Sequence, residues 1–198
     1  VAKRRPYAAR VPADERRAQL LDAALHLVVT RGHNATTMDA IAKQAGVTKP
    51  VVYGQFGSRN ELLAALLRRE QEAAVEQLVT ALRPAGDPAD FLAQALSDFL
   101  AAVQAAPQRW HCIVMPMADM PPEFHAARES ARALVLARAE EVARWLLSDL
   151  GADLDPEIAA HAAVAMCEMA ARLVLTSPER FTAERFVAAV RATLGLVR

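Results

Sequence analysis

Lys49, Pro50, Val51 and Gln55 form a small set of side chains suited to reading nucleic acid. A lysine reaches a guanine edge or a phosphate, a valine meets a thymine methyl, and a glutamine pairs bidentately with adenine. Such side chains act together only when held outward along a short helix, since the N-terminal part of such a helix enters the major groove. Thr48 stands at that helix start. Pro50 is tolerated in the first turn, where its missing N–H is not needed.

The scaffold for these residues is read from Ala35 to Phe56 as two short helices joined by a turn at Gly46. Thr37 and Thr48 are placed to cap them, each offering a side-chain oxygen to free N–H groups. Met38, Ile41, Ala42 and Ala45 share one helical face, and Val47, Val52 and Phe56 continue it after the turn. The pattern is a helix-turn-helix. A bracing helix is expected from about Asp14 to Arg31, with acids in its first turn and Gly32 as terminator. Ser58-Arg59-Asn60-Glu61 is a capping box opening a long helix to about Leu82. Arg59 sits at that positive helix end, where a phosphate contact is expected.

The run from Leu20 to about Leu67 resembles the TetR family of one-component bacterial transcriptional regulators. The resemblance is carried by L-L-D-A-A-L-H-L at 20–27, by A-T-T…I-A…A-G-V-T-K…Y-G-Q-F and by S-R-N-E-L-L at 58–63. It departs at Ala40, where the family often has an acid that Asp39 replaces, and at Pro50, where the family usually has a small residue. The resemblance implies that Tyr53 packs partly on the core and gives its hydroxyl to a phosphate. It implies DNA-backbone contacts for Thr37 and Lys49. For Tyr53, packing alone is the other reading.

Charge agrees with a DNA-binding head. The chain is neutral overall, with 23 basic and 23 acidic residues, but they are unevenly placed. Residues 1–59 hold 10 Lys/Arg against 4 Asp/Glu, so +6, and the remainder is −6. A basic third on an acidic remainder is the footprint of a nucleic-acid head on a separate body. Lys3, Arg4 and Arg5 form a basic arm that either reaches phosphates or the minor groove, or is a solvated tail.

Composition favours helix throughout: 54% apolar, 5% aromatic and only 7 Gly in 198 residues. Cys112 and Cys167 make no disulfide framework and read as apolar thiols of a reducing cytosol. No apolar run is expected to reach the roughly 18–20 residues of a membrane span. Nothing resembles a signal peptide, and the start at Val1 in place of Met fits a trimmed or processed end.

Beyond Arg83-Pro84-Ala85-Gly86-Asp87-Pro88, a loop, the pattern predicts more helices. One carries Phe91 to Val103 and ends at Pro107; others run from Glu123 to about Leu150, from Pro156 to about Leu175 and from Thr182 to about Leu196. Pro116 must kink or end a helix. Phe99, Trp110, His111, Met115, Met120, Phe124, Trp145, Met166 and Met169 are candidate lining for an apolar pocket, since Met and aromatic side chains adapt to ligands. Filling an ordinary core is their other reading. Arg109, His111, His161 and Glu168 are candidate polar anchors. The Ala-rich helix after Pro156 is apolar nearly all round, which requires burial on more than one side. In the family, such a C-terminal pair forms a four-helix dimer interface; Phe186, Val187, Val190 and Leu194 are offered from the last helix.

No nucleophile elbow and no phosphate-cradling glycine loop occurs, and the five histidines lack metal-protease or zinc-finger spacing. No cofactor or metal is expected. The fold class expected is all-α, with roughly nine helices. Residues 1–57 are a helix-turn-helix DNA-binding domain with its arm, and residues 58–198 a helical ligand-binding and dimerisation domain. The function expected is a cytoplasmic, homodimeric repressor that binds a pseudo-palindromic double-stranded DNA operator and is released by an apolar or aromatic small molecule. A DNA- or ligand-binding protein without a switch is the alternative, and an enzyme the weaker one.

Overall fold

The computed structural model describes residues 12–82, 86–115 and 122–195. Among them are nine α-helices and no strand. The chain divides into two compact units, Val1–Leu66 and Leu67–Arg198.

The first unit holds α1 (Ala13–Arg31), α2 (Met38–Gln44), α3 (Lys49–Tyr53) and the first turns of α4 (Arg59–Ala81). Its core is Leu20, Leu27, Ile41, Val52, Phe56, Leu62 and Leu66, each 2% exposed or less. The apolar spacing that predicts three amphipathic helices is what closes this core. Thr37 caps α2 as expected, its Oγ1 accepting from the Ala40 N–H at 3.1 Å. Gly46 makes the turn with φ +66, a left-handed conformation that a side chain disfavours. Thr48 does not cap with its side chain. Pro50 removes one N–H the cap would have served, and the Val51 N–H goes to the Thr48 carbonyl at 3.0 Å.

The capping box at Ser58 forms with a shift of one residue. The Glu61 N–H donates to Ser58 Oγ at 3.1 Å, but Glu61 Oε2 accepts from the Gly57 N–H at 2.8 Å. The first turns of α4 belong to the head because Leu62, Leu63 and Leu66 are buried there. The rest of α4 belongs to the second unit.

That unit adds α5 (Pro88–Ala105), α6 (Pro107–Val114), α7 (Pro122–Leu150), α8 (Pro156–Thr176) and α9 (Ala183–Gly195). Pro107 both closes one helix and opens the next, at a first-turn position that needs no N–H donor. α7 packs along α8, and α5 packs on α9 and α8. Leu96, Phe99, Leu100, Val103, Trp110, Ala170, Ala171 and Val174 make the centre, with the Phe99 and Trp110 rings edge to face at 5.1 Å. Phe186, Val187 and Val190 of α9 pack against this centre, so α9 spends its larger apolar side chains inside its own chain.

Three charged side chains meet in the interior. Glu70 of α4 is 2% exposed and accepts from Arg69 Nε at 2.8 Å and from Arg109 Nε of α6 at 3.0 Å. A buried carboxylate is tolerable only with such partners. By length and composition α8 is apolar enough to cross a membrane, with mean hydropathy 1.6 over its most apolar window. No uninterrupted apolar run of that length occurs, because Glu168 and Arg172 interrupt it without lowering the average enough.

Candidate nucleic-acid interface and body cavity

In the head, α2 and α3 place their apolar residues inward and leave Thr37, Lys49, Pro50, Val51 and Tyr53 exposed. Val51 is 37% and Tyr53 48% exposed. This is the arrangement that the opening chemistry needs: donors, an apolar contact and a hydroxyl on one short, supported helix. Lys49 Nζ lies 3.1 Å from Asp39 Oδ1, and 6.0 Å from the centre of the Tyr53 ring. The hydrogen bond and charge of Asp39 raise the lysine pKa, so it stays cationic. Since both partners are solvated, the pair holds the lysine's direction more than it adds stability.

Gln55 falls past the last turn of α3. It is half-buried, and its carbonyl accepts from Arg17 Nη1 at 3.3 Å. Arg17 also lies over the Phe56 ring at 4.2 Å, tying α1 to the end of the motif. Arg59 Nε donates to the Thr36 carbonyl at 2.7 Å, and its Nη2 to the His33 carbonyl. It thus clamps the loop between α1 and α2. Lys3, Arg4 and Arg5 lie outside the described residues.

The body contains a cavity of about 420 Å³. Its wall is made by α4, α5, α6, α7 and α8 with Val190 of α9, and it is almost wholly apolar. A space this size, with few polar groups, has the dimensions of a small-molecule site. Arg132 Nε on α7 donates to Glu168 Oε1 on α8 at 3.0 Å, both in the wall. Burial pushes the thiols of Cys112 and Cys167 up to about 11, Glu70 and Glu168 respectively adding to the effect. Both thiols are free and neutral at ordinary pH.

The model of the bacterial regulatory proteins, tetR family, matches residues 20–66. The stretch includes all of α2 and α3. Over these residues the chain carries a TetR-family helix-turn-helix region.

Among TetR-family relatives, the chain is 41% identical over 104 residues to the HTH-type transcriptional activator FasR of Mycolicibacterium smegmatis, covering 52% of this chain and 48% of that protein. It is 42% identical over 59 residues to the HTH-type transcriptional regulator SrpR of Pseudomonas putida, covering 30% of this chain and 28% of the relative. The chain thus spans about half the length, or less, of these curated relatives. In fold it resembles a TetR-like transcriptional regulator from Rhodococcus sp. RHA1, with TM-score 0.74, 29% identity and coverage of 92% and 95% of the two chains. It also resembles FadR from Bacillus subtilis, solved in complex with stearoyl-CoA, with TM-score 0.73, 15% identity and coverage of 89% and 96%. That second likeness concerns the fold alone.

Of the expected pocket residues, Phe99, Trp110 and Met166 are in the cavity wall; His111, Met115, Trp145 and Met169 are not part of it. Trp145 turns edge-on to Phe91 at 5.4 Å instead. Met169 faces outward, 42% exposed, and Met115 ends α6. Met120 and the Phe124 side chain lie outside the described residues. Of the expected anchors, Arg109 is committed to Glu70, His161 is exposed and Glu168 is paired with Arg132. Sequence reasoning missed the wall residues Arg128, Arg132 and Gln71, and the alanines at 139, 159 and 163. Charges at i, i+4 on a long helix look like an ordinary solvated face, and alanines read as places of close helix approach. Among the described residues, no group of three or more His, Cys, Asp or Glu could hold a metal ion.

Proposed function

We propose that the chain is a DNA-binding transcriptional regulator whose body receives a small apolar effector. The single observation that carries the DNA-binding half is the exposed face Lys49–Pro50–Val51–Tyr53 on a helix whose other side is fixed in a buried core. Lys49 and Val51 read base edges in this proposal, and Thr37 and Tyr53 hold phosphates. Gln55 and Arg59 take supporting contacts at the margin. The apolar cavity supports the effector half.

In its simplest form the protein is a repressor. An effector that prefers a body conformation unfavourable for DNA lowers operator affinity by its differential affinity for the two states. Activation is the second reading, favoured by the 41% identity to FasR, a transcriptional activator. A reporter fused downstream of the selected operator separates the two, since deletion of the regulator raises expression in one and lowers it in the other.

The active form is proposed to be a cytoplasmic homodimer on a pseudo-palindromic operator. Ile158, Ala162, Ala165, Met166 and Met169 form an exposed apolar stripe along α8, with Ile158 62% exposed. Only 22% of the most apolar window of α8 is buried in the single chain. Ala188, Ala189 and Ala192 add an exposed small-residue face on α9, which allows close helix approach. Sedimentation at micromolar concentration tests it. The dimer is expected, and Ile158→Glu with Met169→Glu is expected to give monomers. A monomeric native chain would sink the dimer reading.

The DNA reading is tested by operator selection with the purified protein, followed by mobility shift. Lys49→Ala is expected to weaken operator binding at least tenfold, an amount equal to about 1.4 kcal/mol. Failure to enrich any sequence over random DNA would overturn it.

A further inference from the structure

We propose that the body cavity takes an amphiphile with one anionic head, its apolar chain lying along α7 and its head meeting Arg128. This rests on reading the cavity as an effector site.

The wall residues from α7 run from Arg128 to Leu147. At 1.5 Å rise per residue, α7 borders the space over roughly 28 Å. Its polarity is one-sided. Arg128 and Arg132 stand at the early end, and Val135, Ala139, Val142, Leu146 and Leu147 follow without a charge. α8 shows the same order in reverse: Glu168 pairs with Arg132 at the early end of α7, and the wall residues before Glu168, from Ala159 to Cys167, are uncharged. One end of the space therefore holds all its charged groups, and the other is hydrocarbon.

The charged end is not balanced. It has two arginines against one glutamate, and Glu168 is occupied by Arg132 at 3.0 Å. Arg128 makes no hydrogen bond or ion pair among the described residues. Its field reaches the protein interior, where it opposes the larger upward effects of burial and Glu70 on the Cys112 thiol. A second unused group belongs to the same wall. Trp110 is in the wall, 2% exposed, and its Nε1–H has no acceptor among the described residues. A buried donor without a partner is unfavourable, and a ligand oxygen relieves it. An apolar space with a spare guanidinium at one end, and a spare N–H in its wall, matches a carboxylate or phosphate head on a hydrocarbon chain. A planar guanidinium suits either head.

The test uses four probes of equal chain length below micelle formation: dodecanoate, dodecyl phosphate, 1-dodecanol and dodecyltrimethylammonium. Binding is measured by calorimetry on the full chain without DNA. The expected result is that an anionic probe binds at least tenfold tighter than the alcohol and the cation; which anion leads identifies the head. Arg128→Met is expected to abolish that preference while leaving dodecanol affinity unchanged, which shows the cavity intact. Arg128→Lys is expected to restore part of it. Equal binding of all four probes overturns the proposal but keeps the effector cavity. Anion preference unchanged in Arg128→Met also overturns it. No binding of any probe removes the effector reading itself, whatever the operator experiments give.

Discussion

The head and the body of this chain solve opposite problems with the same secondary structure. In the head, α1, α2, α3 and the start of α4 close around side chains that are nearly all fully buried, and charged side chains are spent on fastening: Arg17 to the Gln55 carbonyl, Arg59 to the His33–Thr36 loop. In the body, the packed helices leave about 420 Å³ unfilled. Close packing makes the head a rigid carrier for a few outward residues. A lined space makes the body able to respond to something that fills it. Rigidity and receptivity are thus separated along the chain, with α4 as the covalent element common to both units.

Substitutions can break this contrast. The largest effect is expected in the head. Phe56→Ala should cost about 3–5 kcal/mol, read as a lower midpoint in denaturant titration, because nothing around a 1% exposed ring can collapse cheaply. In the body, Glu70→Ala should cost about 3 kcal/mol, since it leaves Arg69 and Arg109 without their shared carboxylate. A smaller and more pointed test exchanges alanine for leucine in both units. Ala24→Leu, at a site with 0% exposure, should cost about 1–3 kcal/mol by overpacking. Ala139→Leu extends into the cavity and should leave stability unchanged or raised, while weakening ligand binding. Equal losses from both would deny that the two interiors differ.

The smallest effect at neutral pH concerns the thiols. Both pKa values are raised to about 11, so alkylation at pH 8 should be at least about a hundredfold slower than for a free thiol. The sign for stability follows from the same shift. Unfolded thiols ionise near the ordinary value of 9.0 and folded ones near 11, so stability is level below pH 9 and falls as pH rises toward 11. Urea titrations at pH 8 and 10.5, compared with a Cys112→Ala, Cys167→Ala variant, check it.

The head was largely legible because its signals are local. Thr37, Gly46 and the Ser58 box act within four residues of themselves, and a 3.6-residue period identifies the inward face. Even there, Thr48 was misjudged, since the cap it would make is denied by Pro50 two residues on. The candidate cavity was legible only in part. Phe99, Trp110 and Met166 were found by residue type, but Trp145 and Met169 are of the same types and turn elsewhere. Type tells what a side chain can line, not which neighbour it meets.

Sequence alone determined the helices, the inward and outward faces of the motif, and the basic third that marks the head. These depend on spacing, capping and charge, all written in consecutive residues. Only tertiary structure decided that Arg109 is spent on Glu70 while Arg128 is spare, that alanines line a space as well as a contact, and that one end of that space holds its charge. Pairing and emptiness are properties of residues far apart in the chain, and their partners are chosen by how the helices pack.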